Sequence, residues 1–241
     1  MVQIYSKSDI GKGRNSNQDA FFAAQIENDA VFAIVCDGMG GANAGNIASE
    51  IAVKTISEYI LRSYRLGMDD VDIEKMLKSA CESANIEIYD MALKNPELKG
   101  MGTTAVIAVA QNDRVIIAHV GDSRAYLVSD GLTQLTRDHS VVQSLIESGK
   151  ITAEDAKVHP RKNIITRALG AEENVIIDIT DVELKDNEAI LLCTDGLSNY
   201  VVEQDVFEII QKSGAEAAQK LVDAANKAGG GDNITVLLLV K

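Results

Sequence analysis

Cysteine, proline and tryptophan are almost missing from this sequence. Its three cysteines, Cys36, Cys81 and Cys193, lack CxxC spacing and sit inside apolar runs. So sparse and odd a set argues against a disulfide framework and a thiolate zinc site, and fits buried, reduced thiols in a cytoplasmic protein. Two prolines in 241 residues, with no low-complexity tract, leave nothing that reads as a linker. One domain spanning 1–241 is therefore expected, since a chain of this length can bury roughly 70–75% of its extended surface. An apolar run of about 18 residues is also missing, which argues against a membrane-spanning helix. The N-terminal segment lacks the basic-then-apolar order of a secretory signal. Positive charge is scarce too. Lys and Arg number 23 against 36 Asp and Glu, a net charge of −13, and the basic residues are scattered. Such a field repels nucleic acid and anionic membrane, so neither is an expected partner. No exposed heptad pattern calls for self-association, and a monomer is expected.

Apolar residues are plentiful, and they fall into two periods. Ala20–Ile26 and Ala30–Cys36 read as a hairpin around the turn residues Glu27-Asn28-Asp29, with the second strand buried on both faces. Helical spacing then takes over. Ile47, Ile51, Ile56 and Ile60 mark a helix over Asn43–Arg65, and Ile73, Leu77, Ala80, Ala84 and Ile88 mark another over Asp72–Leu93, stopped by Asn95-Pro96. Strands are expected at Thr103–Val109, Val115–Val120, Ala125–Val128 and Leu132–Leu135, the last two joined by Ser129-Asp130-Gly131. Short helices follow, one at Val141–Glu147 and one opened by the capping pattern Thr152-Ala153-Glu154-Asp155. Lys157–Asn163 reads as a polar surface excursion. Strands return at Val175–Ile179 and Ala189–Cys193, then helices at Glu203–Gln211 and Ala215–Ala228, then a last apolar strand, Asn233–Val240. Helices and strands alternate too unevenly for a doubly wound parallel sheet. The order predicts an α+β fold of two packed antiparallel sheets with helices on the outer faces.

Four aspartates stand where strands end. Asp37 follows Ile34-Val35-Cys36 and precedes Gly38; Asp195 follows Leu191-Leu192-Cys193-Thr194 and precedes Gly196. Asp122 follows Ala118-His119-Val120-Gly121, and Asp232 stands between three glycines and the final strand. If the sheets bring these ends together, like charges meet at one edge and disfavour one another's ionised forms. Hard divalent cations relieve that repulsion, because Mg²⁺ and Mn²⁺ take oxygen ligands and keep several waters. Glycine beside an aspartate lets backbone approach closely, so the Gly38 carbonyl is a candidate ligand beside Asp37. An Asp-Gly pair alone marks only a turn.

The motifs taken together resemble the metal-dependent Ser/Thr protein phosphatases of the protein phosphatase 2C-like, or PPM, type in their minimal bacterial form. The matching strings begin with Arg14-Asn15-Ser16-Asn17-Gln18-Asp19, Asp37-Gly38-Met39-Gly40-Gly41, Gly102-Thr103-Thr104 and Gly121-Asp122-Ser123-Arg124-Ala125-Tyr126. They continue through Leu135-Thr136-Arg137-Asp138-His139-Ser140, Ile165-Thr166-Arg167-Ala168-Leu169-Gly170, Thr194-Asp195-Gly196-Leu197 and Asp232-Asn233-Ile234-Thr235-Val236. They run in the family's order over nearly the whole chain. The resemblance implies a four-layer α/β–β/α sandwich with a two-metal centre of Mg²⁺ or Mn²⁺ at one edge of the sheets. It makes Asp37 the carboxylate shared by both ions and Gly38 a carbonyl ligand of one, with Asp195 and Asp232 on the other. It also implies that Asp19 holds a metal-bound water and that Asp122 with Asp195 forms a third, weaker metal position. By the same resemblance Arg14 is expected to contact the substrate phosphate, Asn233 to support the ligands, and residues 141–163 to form a flap beside the cleft that influences substrate choice.

The implied reaction is hydrolysis of phosphoserine or phosphothreonine in proteins, the products of a bacterial Ser/Thr kinase. A hydroxide between two cations attacks phosphorus in line, because the ions acidify water and offset the dianion's charge. Arg14 offers a planar, bidentate donor pair to the phosphoryl oxygens. Two other readings remain open: a noncatalytic phosphoprotein-binding relative, and a phosphatase of small phosphorylated metabolites. One departure stands out. Bacterial relatives read Asp-Gly-Met-Gly-Gly-His with a Glu four residues later, where this chain has Ala42 and Asn46; animal relatives place His where it has Met39. The leaving alkoxide thus lacks that histidine as proton donor, and water on a metal would substitute. Of the three histidines present, His119 reads as a packed, hydrogen-bonded strand residue, His139 as structural, and His159 as the candidate for the cleft.

Overall fold

The computed structural model describes residues 2–27, 30–41 and 44–241. In chain order it has β1 (Gln3–Asp9), β2 (Asp19–Glu27) and β3 (Ala30–Met39), then α1 (Ala44–Ser63) and α2 (Asp70–Lys94). Next come β4 (Gly102–Thr103), β5 (Ala105–Gln111), β6 (Arg114–Val120), β7 (Arg124–Val128) and β8 (Leu132–Gln134). The short helices α3 (Val141–Glu147) and α4 (Ala153–Lys157) precede β9 (Asp178–Glu183) and β10 (Ala189–Cys193). One turn of helix, α5 (Asp195–Ser198), leads to α6 (Glu203–Ser213), α7 (Ala217–Lys227) and β11 (Ile234–Val240).

The strands form two antiparallel sheets. One runs β1-β11-β10-β7-β8, and the other β2-β3-β5-β6-β9, with β4 paired to the end of β3. The two faces of β3 show why its apolar run is unbroken. Val31, Ala33 and Val35 pack between the sheets, against Ile190, Leu192, Leu237 and Leu239. Phe32, Ile34 and Cys36 point the other way, into the core under α1 and α2. A strand covered on both faces carries apolar residues at every position. The helices read the other period: Ala48, Ala52, Ile56 and Ile60 of α1 are all fully buried, one turn apart. On the far side α6 and α7 cover the first sheet, with Val206, Leu221 and Val222 over Leu191, Val236 and Leu238. The expected four-layer α/β–β/α sandwich is the observed one.

Several boundaries differ from the sequence reading, each for a stated reason. β1 was not anticipated, because its residues alternate with polar ones and its partner β11 lies at the opposite end of the chain. The strand expected at Val175–Ile179 begins at Asp178 and runs to Glu183, set by pairing with β6. Val175 and Ile177 instead pack, partly buried, against the helix-side core. α2 starts two residues early because Asp69 caps it, accepting from the Asp72 amide at 2.9 Å. The turn residues Asn28 and Asp29 lie outside the described residues. The three cysteines are free and buried. Among the described residues, no helix is long and apolar enough to cross a membrane.

Candidate functional site

Both sheets deliver acidic side chains to one edge. β2 and β3 pair so that Asp19 stands directly across from Asp37. β3 does not stop at Cys36: Gly38 and Met39 continue it by pairing with Thr103 and Gly102 of β4. Asp37 is held by its backbone, its amide donating to Thr104 Oγ1 at 2.9 Å and its carbonyl accepting from the Thr104 amide and Thr103 Oγ1, both at 2.9 Å. In the other sheet β10 and β11 are neighbours, with Cys193 across from Val236, so Asp195 just after β10 lies beside Asp232 just before β11. Asp122 follows β6. A cleft of about 260 Å³ opens at this edge, lined by Arg14, Asp37, Gly38, Asp122, Asp195 and Asp232 among others. Asp19 lies behind the wall. The structure thus lines one cleft with six of the residues picked from the sequence and sets Asp19 behind it.

Two glycines show why the Asp-Gly pairs are needed. A Cβ on Gly38 would lie 2.0 Å from the Gly45 carbonyl oxygen, and one on Gly196 would lie 1.9 Å from that of Asn233. Either side chain would push the aspartate before it off the edge.

The acids are crowded. Asp37, Asp122, Asp195 and Asp232 line the cleft, while protein encloses their other sides. Burial raises the pKa of Asp37 well above the usual carboxylate range, and Asp19, Asp195 and Asp122 add to it by repulsion. Asp195 is raised by burial and by Asp232, Asp122 by burial and by Asp195, and Asp19 by burial against two opposing hydroxyl hydrogen bonds. Asp19 Oδ2 accepts from Thr235 Oγ1 at 2.7 Å and Thr194 Oγ1 at 2.9 Å. Its other oxygen, Oδ1, is buried without a partner, and so is Oδ1 of Asp195. Buried anionic oxygens left bare in this way, in an all-oxygen donor set, suit a hard cation. Among the described residues no three His, Cys, Asp or Glu side chains are already gathered tightly enough to cage an ion alone.

Arg14 enters from the loop before β2, half exposed, and donates to Asp232 Oδ2 at 2.8 Å. That loop is fastened by Asn233, whose side chain is buried. Its Nδ2 donates to the carbonyls of Ile10 and Ser16 at 2.9 and 3.0 Å, and its Oδ1 accepts from the Gln18 amide at 2.8 Å. Thr194 and Thr235 were missed in the sequence reading. The available signal was a hydroxyl residue beside each aspartate-bearing strand end.

The histidines do not supply a cleft acid. The Gly121 amide donates to His139 Nδ1 at 3.0 Å, which places the ring proton on Nε2, facing Asp178 Oδ2 at 3.1 Å. Arg167 completes this cluster by donating to Asp178 Oδ1 at 2.8 Å. His119 is packed as expected, its ring centroid 4.7 Å from that of His139, but it is not hydrogen-bonded as expected. Both ring nitrogens are buried without a well-formed hydrogen bond, although His139, Asp178, Arg167 and the Ser123 backbone all lie near enough to act on the ring. His159 accepts from the Arg161 amide and is not on the cleft wall, contrary to its selection as the cleft candidate. Met39 lines the cleft, whereas Ala42 lies outside the described residues.

Comparison with known proteins gives one consistent picture. Residues 7–225 match the family described as Protein phosphatase 2C. The serine/threonine phosphatase stp of Listeria monocytogenes is 42% identical over 236 residues, covering 97% of this chain and 93% of that protein. The solved serine/threonine phosphatase of S. agalactiae is 34% identical with a TM-score of 0.93, covering 100% of this chain and 99% of that one. A PstP catalytic domain, solved in complex with two manganese ions, is 32% identical with a TM-score of 0.87 and the same coverage of both chains.

Proposed function

Because this chain belongs to the protein phosphatase 2C family and is a protein serine/threonine phosphatase, we propose that its cleft hydrolyses phosphoserine and phosphothreonine in proteins, with Mg²⁺ or Mn²⁺ as cofactor. The observation that carries this reading is the convergence of four strand-end aspartates on one cleft, with buried carboxylate oxygens left without hydrogen bonds beside it. Asp37 would be shared by two ions, with the Gly38 carbonyl on one and Asp195 and Asp232 on the other. Asp122 and Asp195 would take a third, weaker ion. When bound, the cations supply positive charge for the phosphoryl oxygens and a water acidified enough to act as nucleophile.

The chain's own residues do the rest. Thr194 and Thr235 keep one Asp19 oxygen occupied, which would leave the unpartnered Oδ1 to serve the centre as an outer partner. Asn233 fixes the 10–18 loop and so the base of Arg14. The Arg14 guanidinium, already aimed at the cleft by Asp232, presents its donors to the phosphoryl oxygens. Charge on Arg14 is secured, since the hydrogen bond to Asp232 raises its pKa. No histidine lines the cleft among the described residues, so the leaving alkoxide takes its proton from water. That makes a poorly leaving serine or threonine oxygen more demanding than an aryl oxygen. In this reading 1–241 acts as one catalytic unit and as a monomer, with 141–163 as its flap, on proteins phosphorylated by a bacterial Ser/Thr kinase.

The test is phosphate release from a phosphothreonine peptide after EDTA treatment, with Mg²⁺ or Mn²⁺ restored. Release with either ion and none in EDTA is expected. No release under any metal would overturn the reading.

A further inference from the structure

A second, larger cavity opens from the first. This groove, about 530 Å³, runs between α3 and α4 on one side and the segment following α5 on the other. Asp122 and Asp195 line both cavities, so groove and cleft are continuous. Their walls differ in character. The groove is faced by Val142 and Ile146 of α3, Ala156 of α4, and Tyr200, Val201 and Val202 opposite. Val202 is 61% exposed, an apolar side chain with most of its surface uncovered. Two ion pairs stand among the charges of its wall, beside Lys162 and Glu203, which form none among the described residues. Arg124 is bound to Asp138 through two hydrogen bonds, 2.9 and 2.7 Å, and Lys157 is paired with Glu154.

Resting on the phosphatase reading above, we infer that this groove receives an apolar side chain of the substrate protein, one to three residues from the phosphorylated serine or threonine. The reach is set by the backbone. A phosphoryl group in the cleft fixes its own residue near the shared wall, and an extended chain advances roughly 3.3–3.6 Å per residue. Its neighbours therefore pass into the groove within a few residues. Once there, the free energy comes from covering apolar surface, the exposed Val202 above all, since Lys162 is the one cation of the groove wall outside an ion pair among the described residues. A small phosphorylated metabolite has no such flank and leaves the groove empty. The groove thus favours polypeptide substrates and, among them, phosphosites flanked by Leu, Ile, Val or Met.

The experiment is a set of phosphothreonine peptides in which each position from −3 to +3 is Leu, Ser, Glu or Lys, assayed with wild type and with Val202→Ser and Ile146→Ser in Mn²⁺. Serine suits the N-cap place that Val202 holds before α6, and thermal melting confirms that each variant is folded. Leu at one or more positions should raise kcat/KM about tenfold over Ser there, the usual worth of an aliphatic group in a matching pocket. Both variants should shrink that ratio toward one. A flat profile, a preference for Glu or Lys, or a Leu preference that survives both substitutions would overturn the inference while the phosphatase reading stands. Wild type is also assayed on an aryl phosphate. No release from it or from any peptide would overturn both together.

Discussion

Two buried polar groups flank the end of β6, and they fare differently. On one side the cleft acids, Asp37, Asp195 and Asp122 with Asp19 behind them, are buried, mutually repelling and partly unpartnered. On the other side His119 is more deeply buried, with both ring nitrogens bare. Burial drives its pKa down to about 3, with the neighbouring His139 adding to the effect. By displaced ionisation and bare polar atoms the two look alike. They differ in access. The acids adjoin an open cleft that an ion and a phosphate can enter, whereas His119 is sealed between strands. An unmade hydrogen bond beside open volume is a binding site; the same defect in a closed core is only a cost.

That contrast can be broken most forcefully at Asp37. Asp37→Asn should lower phosphatase activity by more than roughly 100-fold, beyond what loss of an outer partner of a metal ligand typically costs. The same substitution should stabilise the metal-free protein, because it removes one of the repelling charges. An increase of about 1 kcal/mol corresponds to roughly 2–4 °C in melting temperature at this size. Loss of activity together with loss of stability would mean that the acids serve the fold rather than the site.

Thr235→Val sharpens the comparison by disturbing a support. Asp19 would lose its shorter hydroxyl bond, and Mn²⁺ affinity measured by calorimetry should weaken roughly 10–100-fold, with melting little changed. Unaltered affinity would remove Asp19 from the centre.

His119→Leu tests the sealed side and should give the smallest effect. Replacing an unsatisfied ring with an apolar side chain should add about 1–3 kcal/mol of stability at neutral pH and leave activity near wild type. The pH dependence has a definite sign. Unfolded His119 takes up its proton near the ordinary value of 6.5, and the folded form does so only near 3. Between those values the unfolded state holds more protons. Wild-type stability contributed by neutral His119 is therefore complete above 6.5 and is lost as pH falls, at up to about 1.4 kcal/mol per unit. The difference between wild-type and His119→Leu urea melts should widen steadily over that window; a constant difference would contradict the burial of an unpaired ring.

What the sequence disclosed follows from how local each signal is. β3, β10 and β11 were legible because a strand covered on both faces is apolar throughout, and α1 and α2 because their buried residues repeat every turn. β1 was invisible since only its pairing with β11, from the other end of the chain, makes it a strand. The aspartates were legible as strand-end residues, and the resemblance supplied the expectation that they meet. Thr194, Thr235 and the hydrogen-bond partners of the histidines were not legible, for each depends on a bond made or missed across distant elements. The apolar groove was hidden likewise, because α3 and α4 meet the residues after α5 only in the folded chain.

The central claim is that acids from both sheets hold cations in common, and metal uptake tests it most directly. EDTA-treated, dialysed protein titrated with Mn²⁺ in a calorimeter should take up at least two ions per chain, and Asp37→Asn and Asp195→Asn should each abolish tight uptake. Uptake unchanged by both substitutions, or none in the wild type, would contradict the account.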